Sequence, residues 1–173
     1  MAKNTNSYRR DSLRLQKWDY RWAGSYFITI CSKLMIPYFG RIENNEMILS
    51  EIGQIAFDYW FNIVDHAKEV ELGAFVVMPD HIHGIITLKK NTFEQSKTDD
   101  NNNDKLIGQK RFQNQGKNSV SSIIGGYKSS VTKKIRSLGY QFYWHSGFYE
   151  KIIRDETTMK IYSEYIKNNI ITK

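Results

Sequence analysis

Two apolar runs lie almost back to back in the middle of the chain. The segments VELGAFVVM (70–78) and HIHGIITL (81–88) are rich in β-branched residues and are separated only by Pro79 and Asp80. So short a connection joins antiparallel strands, because parallel strands need a crossover of a dozen or more residues. The sequence therefore predicts an antiparallel pair of strands near its centre.

Other segments complete an α+β pattern around this pair. GSYFITICS (24–32) is predicted to be a buried strand, and residues 38–50 a hairpin. Ser50 is a good N-cap for a first amphipathic helix, a second helical stripe begins at Ser119, and Asp155 can cap a last helix. The order strand, helix, strand, strand, helix predicts a ferredoxin-like antiparallel sheet with helices packed on one face, plus a late helix.

The second helix has one unusual feature. Its apolar stripe consists of Val120, Ile123, Ile124, Tyr127, Val131, Ile135 and Leu138. Gly125 and Gly126 interrupt it, and two glycines weaken an isolated helix. We interpret them as a site of close backbone packing.

Length and composition predict one domain, residues 1–173, with two polar additions. The chain is 40% apolar, and the deficit is concentrated in residues 89–118, which are rich in Asn, Gln, Lys and Asp. We predict that this segment is a mobile insertion, because it offers little apolar surface to bury. Residues 1–23 form a basic arm in which lysines and arginines alternate with tyrosine and tryptophan.

The charge of the chain favours a polyanionic partner. The formal net charge is +7, and basic residues interleaved with aromatic ones suit single-stranded nucleic acid, which offers phosphates and exposed bases. A solubilising tail whose aromatic residues dock on the core is the alternative. The candidate DNA contacts are Arg9, Arg10, Arg14, Lys17, Trp18 and Lys128.

The sequence also bears on the compartment. Cys31 is the only cysteine, so intrachain disulfides are excluded and a reducing, cytoplasmic location is expected. No run of about 18 apolar residues is present, and the first residues lack the apolar core of a signal peptide, so no membrane association is expected.

His81 and His83 are the strongest candidates for chemistry. On a strand, residues i and i+2 point to the same face, so the two imidazoles project together and Ile82 points to the packed side. Such a pair can bind one divalent ion, although paired histidines also occur without a metal. With only two protein nitrogens, such a site would be an open one that polarises a phosphodiester rather than a structural zinc cage.

Five segments together resemble a known family. VVMPDHIHGII contains the His-hydrophobic-His signature of the HUH nucleases. The other four segments are RRDSLRLQKWDY, GSYFITIC, WHSGFYEKIIRDE and YSEYIKNN. Taken in their order along the chain, the five segments resemble the REP-associated tyrosine transposases, a branch of the bacterial single-tyrosine HUH transposases that act on single-stranded DNA. The resemblance covers almost the whole chain except residues 89–118.

This resemblance implies roles for four residues. His81 and His83 match the histidines that bind Mg²⁺ or Mn²⁺, and Asn169 matches the position of the third metal ligand. Tyr165 matches the nucleophile, which forms a 5′-phosphotyrosine link and releases a 3′-hydroxyl. Tyr165 and Asn169 are four residues apart and so share one helical face. Without the resemblance, core packing would be the preferred interpretation of Tyr165.

The resemblance thus implies a metal-dependent single-stranded DNA endonuclease and strand transferase that acts on hairpin-forming repeats. It would work in the bacterial cytoplasm, associated with the nucleoid, as a monomer or a homodimer. Two alternatives stay open at this point: a domesticated protein that binds DNA hairpins without cutting, and a metal phosphodiesterase that uses water.

Overall fold

The computed structural model describes residues 23–67, 69–89 and 119–169. The strands are β1 (Gly24–Cys31), β2 (Gly40–Glu43), β3 (Glu46–Leu49), β4 (Val70–Val77), β5 (His81–Leu88) and β6 (Tyr149–Ile153). The helices are α1 (Glu51–Phe61), α2 (Ile63–His66), α3 (Val120–Ser137) and α4 (Glu156–Asn168), and a 3-10 turn spans Lys33–Met35. The arm and the insertion lie outside the described residues, apart from their first or last residue.

Four strands form one antiparallel sheet in the order β4-β5-β1-β6, and β2 and β3 form a separate hairpin. β1 lies between β5 and β6, and its pairing with β5 runs from Gly24 opposite Leu88 to Cys31 opposite His81. The helix α1 follows β1, and α3 follows β5, as the ferredoxin-like plan requires. The predicted fold class is confirmed.

One face of this sheet, here called the core face, carries the main hydrophobic core. It presents Tyr26, Ile28 and Ile30 of β1 and Ile82 and Ile86 of β5. The helices α1 and α3 cover it, with the buried side chains Ile52, Ile55, Ala56, Trp60, Val120, Ile123, Ile124, Tyr127, Val131 and Ile135. Because strand side chains alternate, the neighbouring residues of β1 and β5 point away from this core.

The opposite face, here called the site face, is covered by α4. A smaller cluster of Phe27, Ile85, Ile153 and Ile166 is buried there. The late helix therefore packs on the side that α1 and α3 leave open. This arrangement agrees with the predicted layer of helices on one face and a separate late helix.

The helix caps follow the sequence predictions, with small differences at two places. Ser50 Oγ accepts from the Gly53 N–H at 3.0 Å, and Asp155 Oδ1 accepts from the Thr158 N–H at 2.8 Å. The first helical segment is divided at Asn62 into α1 and α2. Leu138 follows the end of α3 and is exposed, so it does not continue the buried stripe.

The interpretation of the glycine pair in α3 was wrong. A Cβ atom added to Gly125 or Gly126 would meet nothing within 4 Å, so no backbone packs closely against either residue. Both lie on the exposed side of the helix, where the apolar stripe does not need them.

Within residues 23–67, 69–89 and 119–169, no helix is long and apolar enough to cross a membrane.

Candidate active site

Strand β5 places both histidines on the site face. His81 and His83 are buried, with 8% and 6% of their surface exposed, and their ring centroids are 4.6 Å apart. Between them Ile82 points to the core face and is 1% exposed. The alternation predicted from the sequence is therefore present, and two imidazoles stand side by side under α4.

Each histidine is held through its Nδ1 atom by a different neighbour. His81 Nδ1 lies 2.5 Å from Oδ1 of Asp80, and His83 Nδ1 lies 2.9 Å from Oγ1 of Thr29 on β1. These contacts fix the orientation of both rings, as partners of metal-binding histidines commonly do. Nε2 is the second nitrogen of each ring and, when unprotonated, is an atom of the kind that binds metal ions.

Helix α4 brings Tyr165 to the same place. The Tyr165 hydroxyl lies 3.5 Å from Nε2 of His83, and the centroids of the two rings are 5.4 Å apart. The residue is 48% exposed, so it is reachable from solvent although the histidines below it are buried. Such exposure argues against the core-packing interpretation of this tyrosine.

Tyr162, one turn earlier in α4, has different surroundings. Its ring stacks on Phe27 with centroids 4.5 Å apart, and Lys151 Nζ lies 5.6 Å from its centroid. The hydrogen bond between this ammonium and the Tyr162 phenol raises the pKa of Lys151. Tyr162 therefore packs on the strand surface, and of these two tyrosines it is Tyr165 whose hydroxyl is next to an imidazole.

Asn169 is the C-cap residue of α4 and directly follows its last residue, Asn168. It is 4% exposed and lies four residues after Tyr165, so it follows the tyrosine by about one turn on the same side of the helix. Its backbone N–H donates to the Ile166 carbonyl at 3.4 Å. Asn169 is therefore a buried residue at the end of the helix that carries Tyr165, and its role as a metal ligand stays a prediction.

Two site residues were missed by sequence reasoning, Phe27 and Thr29 of β1. Phe27 stacks on His83 with centroids 5.2 Å apart, and Thr29 lies opposite His83 in the strand register. The signal was the alternation within GSYFITIC, where a threonine falls between two isoleucines. Only the register of β1 against β5 shows which residue it contacts.

The donor set near the histidines limits which ions fit. Among the described residues, no three His, Cys, Asp or Glu side chains are close enough together to hold a metal ion. Cys31 lies opposite His81, and burial, followed by the charge of Asp80, raises the pKa of its thiol. The donors that stand side by side here are the imidazoles of His81 and His83, a pair that by itself leaves the other positions of an ion to water or phosphate.

Of the candidate DNA contacts, only Lys128 lies within the described residues. Its Nζ donates to the carbonyls of His145 at 2.9 Å and Gly147 at 2.8 Å, and burial lowers its pKa. These bonds hold the loop before β6, so a DNA contact of Lys128 stays a prediction. The other five candidates, Arg9, Arg10, Arg14, Lys17 and Trp18, lie in the arm outside the described residues.

Comparison with other proteins places this arrangement in context. No protein-family model matches the chain. An uncharacterised protein of Haemophilus influenzae (strain ATCC 51907 / DSM 11121 / KW20 / Rd) is 37% identical over 169 residues, which cover 97% of this chain and 92% of that protein. The solved structure of a REP-associated tyrosine transposase bound to a REP hairpin superposes with a TM-score of 0.54 at 19% identity, covering 86% of this chain and 67% of that one. The chain therefore belongs to the same family as the Haemophilus influenzae protein, and its fold is that of the REP-associated tyrosine transposase.

Proposed function

We propose that this protein is a metal-dependent endonuclease and strand transferase for single-stranded DNA, of the transposase type, with hairpin-forming repeats as its target. Its fold is that of a transposase solved with a REP hairpin, and its net charge of +7 suits a polyanion. The observation that carries the proposal is that Tyr165 is half exposed and has its hydroxyl 3.5 Å from an imidazole that is itself held in place.

The reaction is a transesterification. The Tyr165 oxygen attacks the phosphorus atom of the DNA backbone, loses its proton, and becomes joined to the 5′-phosphate of the downstream strand. The bond from phosphorus to the 3′ oxygen breaks, and that oxygen leaves as a 3′-hydroxyl after it gains a proton. The number of phosphoester bonds is unchanged, so no nucleotide cofactor is required. Attack of a 3′-hydroxyl on the phosphotyrosine reverses the step and joins strands.

The residues that would hold Mg²⁺ or Mn²⁺ are His81, His83 and Asn169. Such an ion, when bound, supplies positive charge that stabilises the phosphate and favours ionisation of a phenol whose ordinary pKa is about 10. The protein contributes the orientation: Asp80 and Thr29 fix the two rings, and burial keeps them in one position.

The different surroundings of the two tyrosines in α4 support the assignment of Tyr165 as the nucleophile. The ring of Tyr162 stacks on Phe27, whereas Tyr165 meets Phe27 only edge-on and has its hydroxyl beside His83. A nucleophile has to reach both the substrate and the groups that activate it. Tyr165 meets both conditions, since it is half exposed and adjacent to an imidazole.

Trapping the covalent intermediate tests the proposal. Labelled single-stranded hairpin oligonucleotides are incubated with the protein and Mn²⁺ or Mg²⁺, and adducts are separated under denaturing conditions. Tyr165→Phe removes the attacking oxygen, so we expect the adduct to fall by at least about a thousandfold with unfolding and DNA binding unchanged. The matched control Tyr162→Phe, one turn away, should still form the adduct.

Peptide mass spectrometry of the trapped adduct gives the decisive result. A phosphodiester on any residue other than Tyr165 overturns the assignment. Binding without an adduct would favour a hairpin-binding protein, and cleavage without an adduct would favour a phosphodiesterase that uses water. The same samples, examined by size-exclusion chromatography with and without DNA, separate a monomer from a homodimer. A cytoplasmic, nucleoid-associated location is part of the proposal and is tested by following the tagged protein in cells.

A further inference from the structure

A groove opens between the turn that follows β1 and the C-terminal half of α3. Its volume is about 550 Å³, within the range of sites for small ligands. Lys33, Leu34, Arg136, Tyr143 and His145 contribute to its lining, and no Asp or Glu of the described residues does. We call this feature the β1-end groove.

The β1-end groove is fixed to the strand that carries the histidines. The Ser32 N–H donates to the Asp80 carbonyl at 2.8 Å, and Asp80 directly precedes His81. The Lys33 N–H donates to the Tyr143 carbonyl at 2.9 Å, which ties the two rims of the groove together. Lys33 is two residues beyond the end of β1, a distance of at most about 7 Å along the chain. A DNA strand in the groove would therefore be only a few nucleotides from the site.

The lining of the groove combines an aromatic surface with positive charge. Tyr143 is 47% exposed, and the Lys33 Nζ and Arg136 Cζ atoms lie 5.4 Å and 6.0 Å from its ring centroid. Proteins that hold single strands use this combination, because bases stack on aromatic rings and cations neutralise the phosphates. With no acidic residue in its lining, the groove is complementary in charge to a nucleotide.

The turn after β1 presents apolar side chains on an uncommon backbone, and Leu34 of this turn lines the groove. Leu34 and Met35 are consecutive residues with φ of 57° and 56°, and they are 79% and 50% exposed. Few residues other than glycine adopt this region, and strained turns persist only where the surroundings hold them. Here Ser32 Oγ donates to the Ile36 carbonyl at 2.7 Å and closes the turn. Exposed Leu and Met side chains are the kind that pack against or between bases.

We propose that the β1-end groove binds an unpaired nucleotide of the DNA substrate, with its base against Tyr143 and Leu34 and its phosphate against Lys33 and Arg136. This inference rests on the proposed function, because it takes single-stranded DNA as the substrate. It adds a binding site outside the catalytic residues, and therefore a position in the DNA where the presence of a base matters for affinity.

The test pairs a protein variant with a DNA variant. Binding is measured by fluorescence anisotropy in a Tyr165→Phe background, which prevents cleavage, using hairpin oligonucleotides that carry one abasic site at each unpaired position in turn. Tyr143→Ser removes the ring, and we expect about tenfold weaker binding. At one abasic position, the parent protein should also lose about tenfold in affinity. The same abasic site should cause no further loss of affinity in Tyr143→Ser.

Two controls make the result specific. Tyr143→Phe keeps the ring and should bind like the parent, and Tyr140→Ser removes a tyrosine of similar exposure that bonds to Glu51 instead. If thermal unfolding shows that Tyr143→Ser is poorly folded, Leu34→Ser takes its place in the same comparison with abasic oligonucleotides. The proposal is overturned if neither Tyr143→Ser nor Leu34→Ser changes affinity, or if no abasic penalty depends on them.

Failure of this inference differs from failure of the proposed function. If the protein with Tyr165 intact forms the adduct normally but Tyr143→Ser does not change affinity, the groove proposal is overturned and the nuclease proposal stands. If no adduct forms but the abasic penalty depends on Tyr143 as expected, the nuclease proposal is overturned and the groove proposal stands. If the parent protein binds no single-stranded hairpin at all, both are overturned.

Discussion

The two faces of the sheet use the same strands for different purposes. On β5, Ile82, Gly84 and Ile86 point to the core face, whereas His81 and His83 point to the site face. On the core face the helices α1 and α3 bury a continuous apolar layer. On the site face α4 covers a much smaller cluster and leaves Tyr165 half exposed at its side.

This difference shows how one strand can serve stability and chemistry together. Because side chains alternate, the residues that pack the core and those that surround Tyr165 do not compete for the same positions. Gly84 illustrates the core face, since a Cβ there would lie 2.3 Å from Cζ2 of Trp60. His83, its neighbour, illustrates the site face. Its contacts with Thr29 and Tyr165 orient the imidazole, whereas contacts on the core face serve apolar packing.

Among the changes that compare the two faces, the largest effect is expected when the site face is changed at His83. His83→Ala removes a proposed metal ligand beside Tyr165, so adduct formation per folded molecule should fall by about two to three orders of magnitude. The free energy of unfolding should fall by only about 1 to 2 kcal/mol, because one buried ring is lost. Adduct yield and urea unfolding measure the two quantities. Full activity in this variant would remove the histidine from the mechanism.

Gly84→Ala, one residue away, should instead lower stability strongly and leave activity per folded molecule unchanged. The added methyl group collides with the Trp60 indole, whose rigid ring is enclosed, so we expect a loss of about 3 kcal/mol in the free energy of unfolding. Activity per folded molecule should be retained, since the site face is untouched. Calorimetry or urea unfolding gives the first value and adduct yield the second. A stable but inactive Gly84→Ala would contradict the division between the faces.

The smallest effect is expected at Thr29, which touches the chemistry only through His83. Thr29→Val keeps the volume but removes the hydroxyl that bonds Nδ1 of His83 at 2.9 Å, so the ring loses its orientation. Partners of this kind typically contribute about 10- to 100-fold in metal affinity or activity. Titration of adduct formation against Mn²⁺ should show a shifted midpoint. Thr29→Ser keeps the hydroxyl and should restore the original midpoint, which separates loss of the bond from loss of packing.

The local elements of this fold were predictable because each depends on a short stretch of chain. Ser50 and Asp155 accept the hydrogen bonds expected of helix caps, and the short connection, Met78 to Asp80 in the structure, does join antiparallel strands. The same local rules placed His81 and His83 on one face. Where a local pattern had two explanations, as at Gly125 and Gly126, the sequence was no guide: the glycines are exposed, and nothing packs against them.

The sequence by itself determined the elements, the face on which the histidines lie, and, through the resemblance, the candidate tyrosine. Contacts between distant segments were decided only by the tertiary structure, because they depend on strand register and helix docking rather than on neighbouring residues. The register of β1 on β5 sets Thr29 against His83, 54 positions apart in the chain. The docking of α4 brings the Tyr165 hydroxyl to His83 across 82 positions. The β1-end groove likewise exists only because Tyr143 is folded back onto Lys33.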